Sequence, residues 1–232
     1  MTGPALLDRP HVFQPGLGGR PLLLLHGTGG DEHDLLTLGH VLAPTAALLS
    51  VRGSVVEGNM PRFFRRLAEG VFDEDDLRRR TTDLAAFVRT AAAHYQITPG
   101  LFTIVGFSNG ANIGSALLAE DPAMYAGAVL LAAMPPYRAG FQGTNLNGRE
   151  VLISNGDRDR IATPDLTARL TAQLESTGAL VRLVPHPGGH QIDPASVATI
   201  SKLLSEEQLV TQQRTPNTGA PAPPPMKGNH HD

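Results

Sequence analysis

The chain has no cysteine among its 232 residues, which excludes disulfides, thiolate nucleophiles and cysteine-ligated metals. Charge of one sign is also scarce, with 19 basic against 22 acidic side chains and a net charge of −3. No basic excess is available to track a nucleic-acid backbone or an anionic membrane, so neither partner is expected. Long apolar runs are missing too. Leu22–Leu25 and Ala126–Met134 fall well short of the roughly 20 residues that span a bilayer, and no stable membrane insertion is expected. Met1–Pro10 lacks the basic-then-apolar order of a secretory signal, so a cytoplasmic location is expected. The nine histidines are scattered without the spacing of a metal site, and no metal is expected.

What is present is a regular alternation. Continuously apolar, strand-like segments occur at Leu22–His26, Ala46–Arg52, Leu101–Gly106, Gly127–Ala133, Glu150–Ser154 and Leu180–Pro185. Helical patterns lie at Asp31–Leu42, Asp75–Tyr95, Asn109–Glu120, Pro164–Thr177 and Pro194–Leu209. Strands that are apolar on both faces must be covered on both faces, so the fold class expected is α/β, a mostly parallel sheet flanked by helices. The expected organisation is one domain over residues 1–210 and a proline-rich, disordered tail over 211–232. Two stretches interrupt the alternation, an aromatic and basic excursion within Gly53–Glu74 and a Gly/Asn-rich loop at Pro135–Arg149. Both follow strands, where ligands of open α/β sheets bind.

The most informative stretch is Gly106-Phe107-Ser108-Asn109-Gly110, a G-x-S-x-G sequence between a buried-type strand and an Ala/Leu-rich helix. Glycines flank the serine where a side chain would collide with the neighbouring turn. Such an elbow holds the serine Oγ out at the end of the sheet, where a substrate carbonyl can reach it. An acid and a histidine should then follow in that order. The strand ending at Ser154 is followed by Asp157 and Asp159, and the next strand by Pro185-His186-Pro187-Gly188-Gly189-His190. All three residue types thus fall on loops at one edge of the sheet.

His190, after two glycines that let the loop bend back, is expected to be the base, and His186 a surface residue. Asp159 is the better placed acid, whereas Asp157 suits a turn; both remain open. Oxyanion donors are expected from the backbone N–H of Asn109 and, in the loop His26-Gly27-Thr28-Gly29-Gly30, of Thr28. His26 is expected to serve structure. Phe63 and Phe64 are candidates for lining a substrate pocket, with packing as the alternative. Arg62, Arg65 and Arg66 either contact an acidic substrate or form a solvated face paired with nearby carboxylates. Gly27-x-Gly29 also begins a dinucleotide fingerprint, but Glu32 stands where the third glycine belongs and Arg52 where the ribose acid belongs.

Taken together, Leu25–Glu32, Arg52-Gly53, Arg62–Arg66, Gly106–Gly110 and Pro187–His190 resemble the phospholipase/carboxylesterase branch of the α/β-hydrolase fold. The likeness is to bacterial hydrolases of the hydroquinone-resistance (MhqD-like) type and covers about Leu22 to Leu204. The resemblance implies little or no cap domain and a catalytic set of Ser108, Asp159 and His190. It implies hydrolysis of a small-molecule carboxylic ester without a cofactor. Pro164 falls slightly later after the acid than the family pattern has it. A thioesterase or lysophospholipase on the same machinery, a non-catalytic ligand-binding relative and a nucleotide-dependent enzyme are the alternative functions, and self-association as a homodimer stays open beside any of them.

Overall fold

The computed structural model describes residues 7–214. Seven strands form the main sheet: β1 (His11–Gln14), β2 (Leu22–Leu25), β3 (Leu48–Val51), β8 (Phe102–Phe107), β9 (Tyr125–Leu131), β10 (Glu150–Ser154) and β11 (Leu180–Leu183). Their spatial order is β1-β3-β2-β8-β9-β10-β11. Every neighbouring pair is parallel except β1 with β3.

The leucines of β2 show why this strand sits inside. Leu22 and Leu24 pack with α1 (Leu36–Leu42) and α5 (Pro194–Arg214) on one face. Leu23 and Leu25 pack on the other with α2 (Glu74–His94), α3 (Asn109–Glu120) and α4 (Pro164–Glu175). Alternate side chains of a strand point to opposite faces, so a four-leucine run suits two apolar layers at once. Each fully buried leucine contributes about 1.5–3 kcal/mol relative to exposure.

Helix starts follow local chemistry. The carboxylate of Asp73 accepts the Asp76 N–H and caps α2. Thr163 accepts from the Leu166 N–H at the start of α4, with Pro164 at the first helical position. The first helix is shorter than its pattern predicts and starts at Leu36. Asp31 and Glu32 are otherwise engaged: Asp31 Oδ1 accepts the His33 N–H, and Glu32 is ion-paired to Arg52. That ion pair occupies the two positions at which the dinucleotide pattern already failed.

Two expectations change. β11 is an edge strand with Leu180 and Leu183 exposed, so it is not covered on both faces. The excursion after β3 is not a plain loop. It forms two hairpins, β4 (Val55–Glu57) with β5 (Met60–Arg62), and β6 (Arg66–Ala68) with β7 (Val71–Phe72). Of the tail expected over 211–232, residues 211–214 continue α5, and the remainder lies outside the described residues.

Candidate active site

Ser108 joins β8 to α3 with φ 52° and ψ −114°, a conformation that L-residues rarely adopt. The strain persists because the surroundings over-determine it. Ser108 N–H donates to Leu131 O at 2.8 Å, and its carbonyl accepts from Asn112 N–H at 3.0 Å. Gly110 is packed so closely that a Cβ there would lie 2.0 Å from Leu25 O. Serine before a helix usually caps it with its hydroxyl, but Ser108 makes no side-chain cap bond. Its Oγ lies instead 2.8 Å from His190 Nε2.

The partners of that bond are held by pairing that continues beyond β10 and β11. Past the strand ends, Gly156 bridges His186 in parallel fashion. The Asp157 N–H donates to His186 O at 2.8 Å and the Arg158 N–H to Gly188 O at 3.0 Å. A Cβ on Gly156 would meet Gly188 O at 2.4 Å, so only glycine lets the two loops approach this closely. The zipped loops bring Asp159 Oδ2 to 2.7 Å from His190 Nδ1. The other oxygen of Asp159 accepts the N–H groups of Ile161 (2.7 Å) and Ala162 (2.9 Å). The carboxylate is therefore divided between two tasks, one oxygen fixing its own turn and one facing the imidazole. Asp157 is exposed, and only its backbone takes part. His186 is buried rather than on the surface. Its Nδ1 accepts the Gly188 N–H at 3.2 Å and so shapes the turn that carries His190.

The sequence also pointed to His26, Thr28, Asn109, Phe63 and Phe64. His26 is buried, with Nδ1 2.6 Å from Gly27 O and Nε2 accepting the Gly53 N–H at 3.0 Å. Burial lowers its pKa, the Gly27 carbonyl opposing. The neutral ring thus ties the loop after β2 to the segment after β3. Thr28 and Asn109 both line a cavity of about 290 Å³ that also reaches Ser108 and His190. Among the described residues, neither the Thr28 nor the Asn109 N–H meets a backbone carbonyl. Phe63 and Phe64 do not line this cavity. Both are buried in the core, Phe63 against the His26 ring (centroids 4.8 Å apart) and Phe64 edge-on to Phe72 (5.0 Å). The pattern Arg-Phe-Phe-Arg-Arg buries its aromatics, and the aromatics of the cavity are Phe72 and Phe107. Phe107 also packs against the His190 ring, with centroids 5.6 Å apart.

Sequence reasoning did not single out Asn112, Asn155 or Met134. Asn155 clamps the end of β9 to β10. It accepts the Ala133 N–H (2.8 Å) and donates to Ala133 O (2.7 Å) and Thr167 Oγ1 (2.7 Å). Asn112 Oδ1 accepts the Met134 N–H at 2.9 Å and fixes a residue of the cavity wall. A buried asparagine in the first turn of an elbow helix was the available signal for Asn112. Among the described residues no cluster of three or more His, Cys, Asp or Glu is placed to hold a metal, and no helix is long and apolar enough to cross a membrane.

A mostly parallel sheet between helices, with a strained serine after a central strand and its polar partners on later loops of the same edge, defines an α/β-hydrolase. No family profile matches the chain. MhqD of Bacillus subtilis (strain 168), named as a hydrolase, is 45% identical over 182 residues, 78% of this chain and 90% of that protein. The Bacillus cereus carboxylesterase structure superimposes with a TM-score of 0.83 at 42% identity, covering 86% of this chain and 94% of that one. A carboxylesterase from Mesorhizobium loti gives 0.81 at 32% identity, covering 87% and 98%. The chain belongs to the MhqD-like members of the phospholipase/carboxylesterase branch of the α/β-hydrolase superfamily and is a carboxylic ester hydrolase.

Proposed function

We propose that the enzyme cleaves short carboxylic esters through an acyl-enzyme on Ser108. His190 Nε2 takes the Ser108 proton as Oγ attacks the ester carbonyl, forming the C–O bond of a tetrahedral intermediate. Asp159 holds the imidazole with its Nδ1–H toward the carboxylate and stabilises the imidazolium that forms. The N–H groups of Thr28 and Asn109 receive the oxyanion, aided by the positive end of α3. Collapse expels the alcohol, which takes the proton from His190. Water, deprotonated by the same nitrogen, then releases the acid and restores the hydroxyl. Every proton and bond in this cycle is accounted for by side chains and amides of this chain together with water.

The observation that carries the proposal is the unbroken line of hydrogen bonds from Ser108 Oγ to His190 (2.8 Å) and from His190 to Asp159 (2.7 Å). A neutral imidazole donating through Nδ1 leaves a lone pair on Nε2 aimed at the hydroxyl, which is what a general base requires. The cavity volume of about 290 Å³ is at the small end for ligand sites and suits short acyl and alcohol groups. Labelling with a fluorophosphonate, followed by mass mapping, tests the nucleophile: the adduct is expected on Ser108 and absent from Ser108→Ala. A panel of matched esters and thioesters run beside it separates esterase from thioesterase. Labelling at another serine, or none, refutes the proposal.

A further inference from the structure

The cavity that holds Ser108 is lined by hydrogen-bond donors, some of which no protein atom among the described residues engages. Arg62 lines it and is only 3% exposed. Its Nε donates to Phe64 O at 3.3 Å. Among the described residues, neither terminal nitrogen makes a hydrogen bond to a protein atom. Glu57 lies 3.3 Å from the same Nε as an ion pair without hydrogen-bond alignment, and it also receives Arg66 Nε at 3.1 Å. Two guanidinium groups therefore share one carboxylate.

Asn109 adds an independent observation. It is 2% exposed and lines the cavity; its Oδ1 is taken by the Phe63 N–H at 2.7 Å, while its buried Nδ2 has no partner. Asn112 is arranged alike, its oxygen taken by the Met134 N–H. In each case the acceptor is committed to the backbone, and in Asn109 a buried donor is left over. A buried donor without an acceptor is costly, and the Arg62 guanidinium brings a positive charge whose terminal nitrogens no described residue engages, so an oxygen-rich, negatively charged group would complete this wall. Glu69 also lines the cavity, but it is exposed to solvent, where its charge is screened.

We propose that Arg62, supported by Arg66 and Asn109, recognises a carboxylate on the substrate, so that the preferred esters are monoesters of short dicarboxylic acids. This rests on the assignment of Ser108 as nucleophile. A sphere of the cavity's volume is about 8 Å across, which accommodates a carboxylate four bonds from the reacting carbonyl. The burial that lowers the Arg62 pKa, opposed by Glu57 and reinforced by Arg66, is offset when an anion binds. Arginine suits the task because its terminal nitrogens present a planar fork to a carboxylate.

The test compares monomethyl glutarate with methyl pentanoate, followed by proton release at constant pH. In the native enzyme kcat/KM is expected to favour the hemiester by about tenfold or more. Arg62→Met is expected to bring that ratio to about one, and Arg62→Lys, which keeps the charge but loses the fork, to an intermediate value. Free glutarate should also inhibit native turnover competitively and raise the Tm, with pentanoate much weaker in both. That measurement stands even if neither variant folds. A native ratio of one or below, a ratio unchanged in folded Arg62→Met, or equal effects of glutarate and pentanoate overturn the proposal. Turnover that survives Ser108→Ala, or no turnover with either ester, overturns the nucleophile assignment instead. The glutarate–pentanoate contrast in Tm then decides the carboxylate site by itself.

Discussion

Replacing Asp159 by asparagine changes one oxygen to an NH₂ group and nothing in size. Asp159 Oδ1 holds its own turn through the Ile161 and Ala162 N–H groups. An asparagine oxygen placed there keeps both bonds, so the loop should retain its shape. The NH₂ group then replaces the oxygen that faces His190 Nδ1 at 2.7 Å. Two donors cannot share that contact, so the imidazole moves its proton to Nε2, the nitrogen facing Ser108. The base is lost while its position is preserved. By analogy with serine proteases, a wrong tautomer costs about 10⁴ in kcat, or about 5.5 kcal/mol of barrier. Asp157 is exposed and contributes only its N–H to the loop, so Asp157→Asn should stay within about twofold. The assay is kcat/KM for release of p-nitrophenol from a short acyl ester, with near-ultraviolet circular dichroism to verify folding. A folded Asp159→Asn that keeps more than about a tenth of native turnover would falsify the mechanism, because the expected loss is about 10⁴. Loss confined to Asp157→Asn would transfer the role to that residue.

Three further outcomes test the supporting structure. Gly110→Ala would put a Cβ 2.0 Å from Leu25 O and 2.5 Å from His26 O, so backbone must move. The expected cost is about 3 kcal/mol or more, a fall in Tm of about 6–12 °C by scanning calorimetry. Asn155→Leu strips the buried Ala133 N–H and C=O of their partner. At about 1–3 kcal/mol for each orphaned group, the urea midpoint should drop clearly. His26 has a lowered pKa in the folded protein, so the unfolded chain takes up its proton first. Its share of stability is complete above the unfolded value of about 6.5 and declines as pH falls below that toward the folded value. Urea midpoints measured from about pH 8 to pH 5 should therefore fall more steeply in the native protein than in His26→Gln.

Much of this arrangement was legible in the sequence because it depends on short-range patterns. Among the described residues, the six parallel strands and four of the five helices appear where apolar runs place them, α1 beginning later than its pattern, and Gly106–Gly110 announces its own turn. What periodicity missed has physical reasons. β1, of sequence His-Val-Phe-Gln, is half-buried and is a strand only by pairing antiparallel with β3, a long-range contact. The hairpins between β3 and α2 have strands of two or three residues, too short to show alternation, and Pro61 obscures one of them. The site was half readable. Ser108, His190 and a choice between Asp157 and Asp159 follow from residue type, order and loop position. That Asp159 rather than Asp157 faces the ring depends on the zipped loops beyond β10 and β11. Phe63 and Phe64 looked like pocket residues because the segment was taken as a loop. As part of the hairpin region they turn inward, and Arg62 and Arg66 line the cavity instead, while Arg65 pairs with Asp73 and Asp76.

The hairpins between β3 and α2 have a broader consequence. The reacting groups ride on the rim of a rigid sheet, whereas a large share of what a substrate would touch comes from one contiguous piece of chain, tied back by the Phe63–Asn109 and Gly53–His26 bonds. On the proposed mechanism, chemistry and selectivity are encoded in separable stretches of polypeptide. Chimeras that exchange this piece between related esterases can alter what is accepted while leaving how it is cleaved intact, provided the two anchoring bonds are carried along.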